Sequence, residues 1–328
     1  MDHSHHIHLL ATGGTIAGKG KAGKTSGYEA GSLPPDSLLE TLPPLPSSIH
    51  LTVEQICSID SNEVDDQLWL TLVRRINELS QTDIDGFVIT HGTDTMDETA
   101  YFLNLTVKTE KPVILTGAMR PSTAASADGP LNLYQAIHLA DKPEASGKGV
   151  LVCFCDSIYS GRDVQKINTY KTDAFNEQDL SCLGYMRDEE CYFMNESLAI
   201  HTTASCFDVS RLDRLPRVDI LFFYAGAPAD ALDYHASKAQ GLVIAGTGSG
   251  NYSPEWKNKI SELAARRIPV VRASRIGHGI VSRDIHFEGS ENCFPAYTLP
   301  PQKARILLSL ALTVTDSYEE MEKLFRTY

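Results

Sequence analysis

Short apolar runs that end in glycine alternate along this chain with longer stretches of helical periodicity. Ile7-His8-Leu9-Leu10-Ala11 stops at Gly13-Gly14 and reads as a buried strand ending in a turn. Gly86-Phe87-Val88-Ile89-Thr90 repeats the pattern and closes at Gly92. Between them Trp69, Leu72, Val73, Ile76 and Leu79 share one face of an amphipathic helix. A helical stretch around Tyr101-Phe102-Leu103 leads to the strand Pro112-Val113-Ile114-Leu115-Thr116. Pro130 opens a helix with Leu133, Ala136, Ile137 and Ala140 on one side, ahead of the strand Val150-Leu151-Val152-Cys153-Phe154. Strands joined by helix-length connections predict a parallel sheet covered on both faces.

From 176 to 216 the pattern turns polar, with Asp188-Glu189-Glu190 among short alternating runs, which predicts a hairpin and then a linker ending at Leu215-Pro216. Alternation then resumes with strands at 218–223, 241–245 and 268–271. Ser253 and Pro254 read as the cap and first position of a helix. Of two closing helices, the last is expected to start at a capping box, Asp316-x-x-Glu319. The predicted fold is α/β: a larger N-terminal domain (1–195) with a mainly parallel sheet covered by helices, a linker (196–216), and a smaller C-terminal α/β domain (217–328).

Composition narrows the function. The 328 residues carry 29 Lys and Arg against 42 Asp and Glu, a net charge of −13 that repels phosphate backbones and anionic lipid. Neither a nucleic-acid nor a membrane partner is expected. Met1-Asp2-His3-Ser4-His5-His6 holds no apolar signal-like stretch, so the expected compartment is the cytoplasm, or the periplasm for a chain already trimmed of its signal. Seven cysteines at irregular spacing contain no C-x-x-C and are expected to be reduced and mostly buried. His3, His5, His6 and His8 could hold a metal from one strand face. Three of them precede the first apolar strand, however, and a solvent-facing end is the expectation.

Ligands of open parallel sheets bind beyond the carboxyl ends of strands where the strand order reverses. That rule selects Thr12-Gly13-Gly14-Thr15-Ile16-Ala17-Gly18 and Thr90-His91-Gly92-Thr93-Asp94-Thr95, both of which set hydroxyls beside glycines. Gly13-Gly14-x-x-x-Gly18 fits neither a dinucleotide fingerprint nor a phosphate loop, and Gly246-Thr247-Gly248-Ser249-Gly250 lacks the third spacing, so no dinucleotide cofactor is expected. Residues 18–31, with five glycines and Tyr28, are placed to act as a lid. A hydroxyl nucleophile needs a base. No G-x-S-x-G elbow exists, and His91 and Thr93 need not face each other. Lys166 is a second option, because a lysine desolvated in a closed pocket can lose its proton.

These segments, with Gly117-Ala118-Met119-Arg120-Pro121-Ser122, Ser126-Ala127-Asp128-Gly129-Pro130 and Gly161-Arg162-Asp163, resemble the bacterial type II L-asparaginases of the asparaginase/glutaminase family. The likeness runs from the first strand to Pro301-Gln302-Lys303-Ala304-Arg305. It implies hydrolysis of L-asparagine to L-aspartate and ammonia through an acyl-enzyme, without metal or cofactor. Thr15 matches the nucleophile, assisted by Tyr28. Thr93, Asp94 and Lys166 match a second triad that activates water or turns over the acyl-enzyme. Backbone N–H groups of the glycine turns could hold the oxyanion.

For the substrate's carboxylate and ammonium the resemblance implies Ser61 and Asn62 with Asp94, although the family often has Gln where Asn62 stands. Asp65 and Asp66 read as helix caps instead. Asn251 matches a contact supplied by a neighbouring subunit, and Glu288 or Asp284 a neighbouring carboxylate. The implied assembly is a homotetramer built as a pair of intimate dimers. A glutaminase-asparaginase preferring L-glutamine and a catalytically silent amino-acid-binding relative are the alternatives.

Overall fold

The computed structural model describes residues 4–176 and 182–328, in two compact units, 1–211 and 212–328. The first is built on an eight-stranded sheet. Its strands are β1 (His5–Gly13), β2 (Ile49–Ile59), β3 (Gly86–Thr90), β4 (Val113–Thr116), β5 (Val150–Phe154), β6 (Ser157–Ser160), β7 (Cys182–Arg187) and β8 (Glu190–Phe193). They lie in the order β8-β7-β6-β5-β4-β3-β1-β2. Strands β1 to β5 pair in parallel, and β6, β7 and β8 continue the sheet antiparallel, β7 and β8 as the expected hairpin.

Because β1 sits between β2 and β3, the chain leaves β1 toward one side of the sheet and β3 toward the other. Their carboxyl ends therefore flank a switch point. Period-two alternation sends Ile7 and Leu9 of β1 into a cluster with Val88, Ile114 and Leu151. That face is covered by Leu133, Ala136, Ile137 and Ala140 of helix Gly129–Ala140. Each fully buried valine, leucine or isoleucine among them contributes about 1.5–3 kcal/mol.

Helix α1 (Asp66–Leu79) starts as its sequence demands. The Asp65 carboxylate accepts the N–H groups of Gln67 and Leu68, both at 3.0 Å, and Leu68, Trp69, Leu72, Val73 and Ile76 are buried. Helix α2 (Met96–Thr106) follows β3 and is buried along nearly its whole length.

Strand β1 begins before the apolar run. His5 and His6 are within the ladder opposite Ile49 and His50. The His5 ring meets Asp141 at 2.7 Å, and Thr52 Oγ1 lies between the rings of His6 and His8. Side-chain partners thus hold a polar end of the strand that hydropathy alone leaves in solvent. Among the described residues no group of His, Cys, Asp and Glu could hold a metal ion. Of the seven cysteines only Cys153 and Cys293 are buried and Cys206 is exposed, so the expectation of mostly buried cysteines needs correcting.

The second unit is a four-stranded parallel sheet in simple order, β9 (Val218–Phe222), β10 (Gly241–Gly246), β11 (Val270–Ser274) and β12 (Cys293–Pro295). Ser253 caps helix Pro254–Leu263 by accepting the Trp256 N–H at 3.3 Å. The final helix, Tyr318–Thr327, is capped by Ser317 rather than Asp316, with Ser317 Oγ accepting the Glu320 N–H. Asp316 reaches Arg267 instead, at 3.3 Å. No helix among the described residues is long and apolar enough to cross a membrane.

Candidate active site

Two glycine turns meet at the switch point with no room between them. Gly14, at φ +77°, lies so close to the backbone of Gly92 that a Cβ there would stand 2.4 Å from the Gly92 nitrogen. Gly92 in turn is packed on Ser61, where a Cβ would approach the hydroxyl to 2.6 Å. Only glycine permits this approach, and it sets the residues that follow the two turns, Thr15 and Thr93, on one cleft of about 420 Å³. Thr15, Tyr28, Ser61, Thr93, Asp94 and Lys166 all line it.

Each threonine has its own polar partner. Thr15 Oγ1 is 2.8 Å from the Tyr28 hydroxyl. Lys166 Nζ donates to Thr93 Oγ1 at 2.8 Å and to Asp94 Oδ1 at 2.5 Å. The lysine side chain is 15% exposed, whereas Asp94 is 54% exposed and opens onto the cleft. Lys166 comes from a short two-residue ladder, Gln165–Lys166 against Phe175–Asn176, far along the chain from Thr93.

The glycine-rich segment that brings Tyr28 folds back as a second small ladder, Lys19–Gly20 against Tyr28–Glu29. It is tied down by Thr123, whose hydroxyl and carbonyl accept the N–H groups of Gly20 and Gly23 at 2.9 and 2.8 Å. Gly14 N–H donates to the Ile59 carbonyl at 2.9 Å, so that donor is already engaged.

Ser61 is buried at the start of a short turn after β2. Its hydroxyl accepts the Asp94 N–H at 3.3 Å, and its carbonyl accepts from Thr95 Oγ1 at 2.9 Å. Asn62, one residue on, is exposed, and its N–H donates to Asp60 at 3.2 Å. Behind the cleft runs a buried relay the sequence did not suggest. Trp69 Nε1 donates to Thr99 Oγ1 at 2.9 Å, and Thr99 lies 3.0 Å from His91 Nε2. His91 Nδ1 is 2.7 Å from the Gly92 carbonyl. A carbonyl only accepts, so Nδ1 carries the proton and Nε2 accepts from Thr99: the ring is neutral, in one tautomer. Burial holds its pKa down at about 4. His91 therefore supports the Gly92 turn and does not face Thr93.

Met119 and Arg120, quoted in sequence only as part of the Gly117–Ser122 motif and given no role there, also line the cleft with Tyr170. The first two follow β4 directly, a position that could have flagged them; Tyr170 carries no local signal.

Asn251 and Glu288 are in the second unit. Asn251 ends a tight turn after β10, its backbone paired with Thr247. The Glu288 side chain is fully buried, its Oε1 accepting from Arg272 at 2.7 and 3.0 Å and its Oε2 from the Asp284 N–H at 2.9 Å. The Glu288 carboxylate is thus engaged within its own unit.

The chain matches the family models described as "Asparaginase, N-terminal" over residues 6–199 and "Glutaminase/Asparaginase C-terminal domain" over 217–325. A "Probable L-asparaginase periplasmic" of Haemophilus influenzae is 43% identical over 98% of this chain and 93% of its own length. A "Glutaminase-asparaginase" of Pseudomonas fluorescens biotype A is 39% identical over 98% of this chain and 90% of its own. The crystal structure of a "Probable Cytoplasmic L-asparaginase" from Campylobacter jejuni superposes with a TM-score of 0.95 at 43% identity, covering 99% of this chain and 100% of the other.

Proposed function

The chain belongs to the asparaginase family, and from that premise we propose that it hydrolyses L-asparagine to L-aspartate and ammonia through two threonine-centred steps. The observation that carries the reading is the pairing of each cleft threonine with its own proton-handling partner, Tyr28 for Thr15 and Lys166 with Asp94 for Thr93. Thr15 Oγ1 attacks the side-chain amide carbon, its proton passes by way of Tyr28 to the amide nitrogen, and the collapsing tetrahedral intermediate expels ammonia. The acyl-enzyme then takes up water. Thr93 orients that water while Lys166 relays one of its protons to the departing Thr15 oxygen; the water oxygen bonds to the acyl carbon and the ester to Thr15 breaks to release the acid. Splitting one hydrolysis into two steps lowers each barrier, and a pre-set cleft removes much of the orientational cost.

Ser61 would donate to the substrate carboxylate from its hydroxyl and backbone N–H, and Asp94, the more open member of the Lys166 pair, would take the ammonium with Asn62 and with Asn251 from a neighbouring subunit. That last contact requires more than one copy of the chain, and the family resemblance favours a homotetramer built as a pair of intimate dimers. The likeness to a protein titled cytoplasmic supports a cytoplasmic location, and the likeness to a relative named periplasmic supports the periplasm as the alternative.

Ammonia release from L-asparagine by the purified chain tests the reading. Activity is expected to vanish in Thr15→Ala and in Thr93→Ala, and full activity in either removes that residue from the scheme. The similarity to a glutaminase-asparaginase favours L-glutamine as a second substrate, and the ratio of the two kcat/KM values decides which amide is preferred.

A further inference from the structure

Arg272 stands in the middle of β11 with its side chain 1% exposed, against a Glu288 that is not exposed at all. Replacing such a pair by apolar groups of similar volume is often neutral or stabilising, so stability gives a weak reason to keep it. What the pair touches gives a stronger one. Nη1 donates to the Ser249 carbonyl at 2.5 Å and Nη2 to the Ser282 carbonyl at 2.5 Å, while Nε and Nη2 hold Glu288 Oε1. Glu288 Oε2 accepts the Asp284 N–H. One planar fork thus ties the turn after β10 to residues 282–288, which the single ammonium of a lysine could not do from one position.

Ser249 lies inside the turn that ends at Asn251. The turn is closed by Thr247 N–H to the Asn251 carbonyl at 2.9 Å and the reverse bond at 2.6 Å. Ser274 Oγ holds the Gly248 carbonyl at 2.5 Å, and Gly250, at φ +82°, rests on the Arg272 stem. Every hydrogen bond here fixes the backbone. The Asn251 side-chain amide makes none with any described residue and stands half-buried at the end of this frame.

We propose that the Arg272–Glu288 pair is a positioning device that holds the Gly246–Asn251 turn in the shape that presents the Asn251 amide to the substrate. The inference rests on the proposed substrate contact of Asn251. It gives Glu288 a role exerted through Arg272 rather than by touching the ligand.

The test compares steady-state kinetics of L-asparagine hydrolysis in Asn251→Ala, Glu288→Gln, and the paired replacement Arg272→Met with Glu288→Leu. The paired variant is expected to raise KM about tenfold, the scale of one lost polar contact, with kcat within about threefold. Its thermal midpoint should fall within a few degrees of the parent's. Adding Asn251→Ala to it should raise KM no further than Asn251→Ala alone. A raised KM in Asn251→Ala together with an unchanged KM in the folded paired variant overturns the device while leaving the Asn251 contact intact. An unchanged KM in Asn251→Ala sinks that contact, and the device with it. Should the paired variant not fold, Glu288→Gln, which keeps the shape and an acceptor, carries the same comparison: a KM rise absent from the Asn251→Ala background supports the proposal, and an unchanged KM overturns it.

Discussion

The two units each contain a lysine- or arginine-to-carboxylate pair within hydrogen-bond distance, and the pairs differ in almost everything else. Lys166–Asp94 lies on the open cleft, its carboxylate 54% exposed and its ammonium shared with a threonine hydroxyl. Arg272–Glu288 is sealed, with every acceptor around the guanidinium belonging to the protein's own frame. An exposed pair contributes at most about 1 kcal/mol to folding, because water screens it and serves its partners when it breaks. A sealed pair cannot be broken cheaply, because the surviving charge has no water to turn to. Charge placed at an open site can move protons; charge placed in a closed one can only hold geometry.

The sharpest way to break this comparison is Lys166→Met. It should lower kcat by about 10⁴, the upper end for a group that handles a proton in the transition state. Its unfolding free energy, measured in urea, should change by no more than about 1 kcal/mol. Retained activity would move Lys166 out of the chemistry.

Arg272→Ala is the mirror experiment. Leaving Glu288 buried and alone should cost about 3–5 kcal/mol in equilibrium unfolding, while kcat of the folded fraction stays near the parent's. A loss below about 1 kcal/mol would show that the pair is not sealed.

His91 extends the comparison to a buried group that stays neutral. Burial holds its folded pKa at about 4, so as pH falls the unfolded chain, with an ordinary histidine near 6.5, takes up its proton first. This contribution to stability is complete above 6.5 and declines between 6.5 and 4 by about 3 kcal/mol in all, at about 1.4 kcal/mol per pH unit. Urea unfolding at several pH values in that window should show the decline, and His91→Asn should flatten it. An unchanged slope would place the proton elsewhere. The smallest effect belongs to the most exposed pair: Arg267, 78% exposed beside Asp316 at 90%, should lose under about 0.5 kcal/mol on Arg267→Ala.

Much of this was legible from local pattern. The glycine stops at Gly13-Gly14 and Gly92 located both turns of the cleft, since a strand's end and, at Gly13 and Gly14, a positive φ are properties of neighbouring residues. The same is true of Asp65 and Ser253, caps whose partners lie two or three residues away. The Asp316 cap was misread by one position, because a serine and an aspartate in succession offer equivalent signals and only the competing reach of Asp316 to Arg267 separates them. Trp69, Thr99 and His91 each looked like ordinary members of their elements. Their relay exists because α1 and α2 are brought together behind β3, which no window of sequence encodes.

By itself, then, the sequence determined the order of strands and helices, the two glycine turns, the threonines that follow them and, through its motifs, the family. Only the tertiary structure decided which charges meet. Lys166 reaches Thr93 across 73 positions and Glu288 closes on Arg272. Backbone preferences are set by adjacent residues and can be read along the chain. The partner of a charged side chain is set by strand order and by the access of water, and both exist only once the sheets have formed.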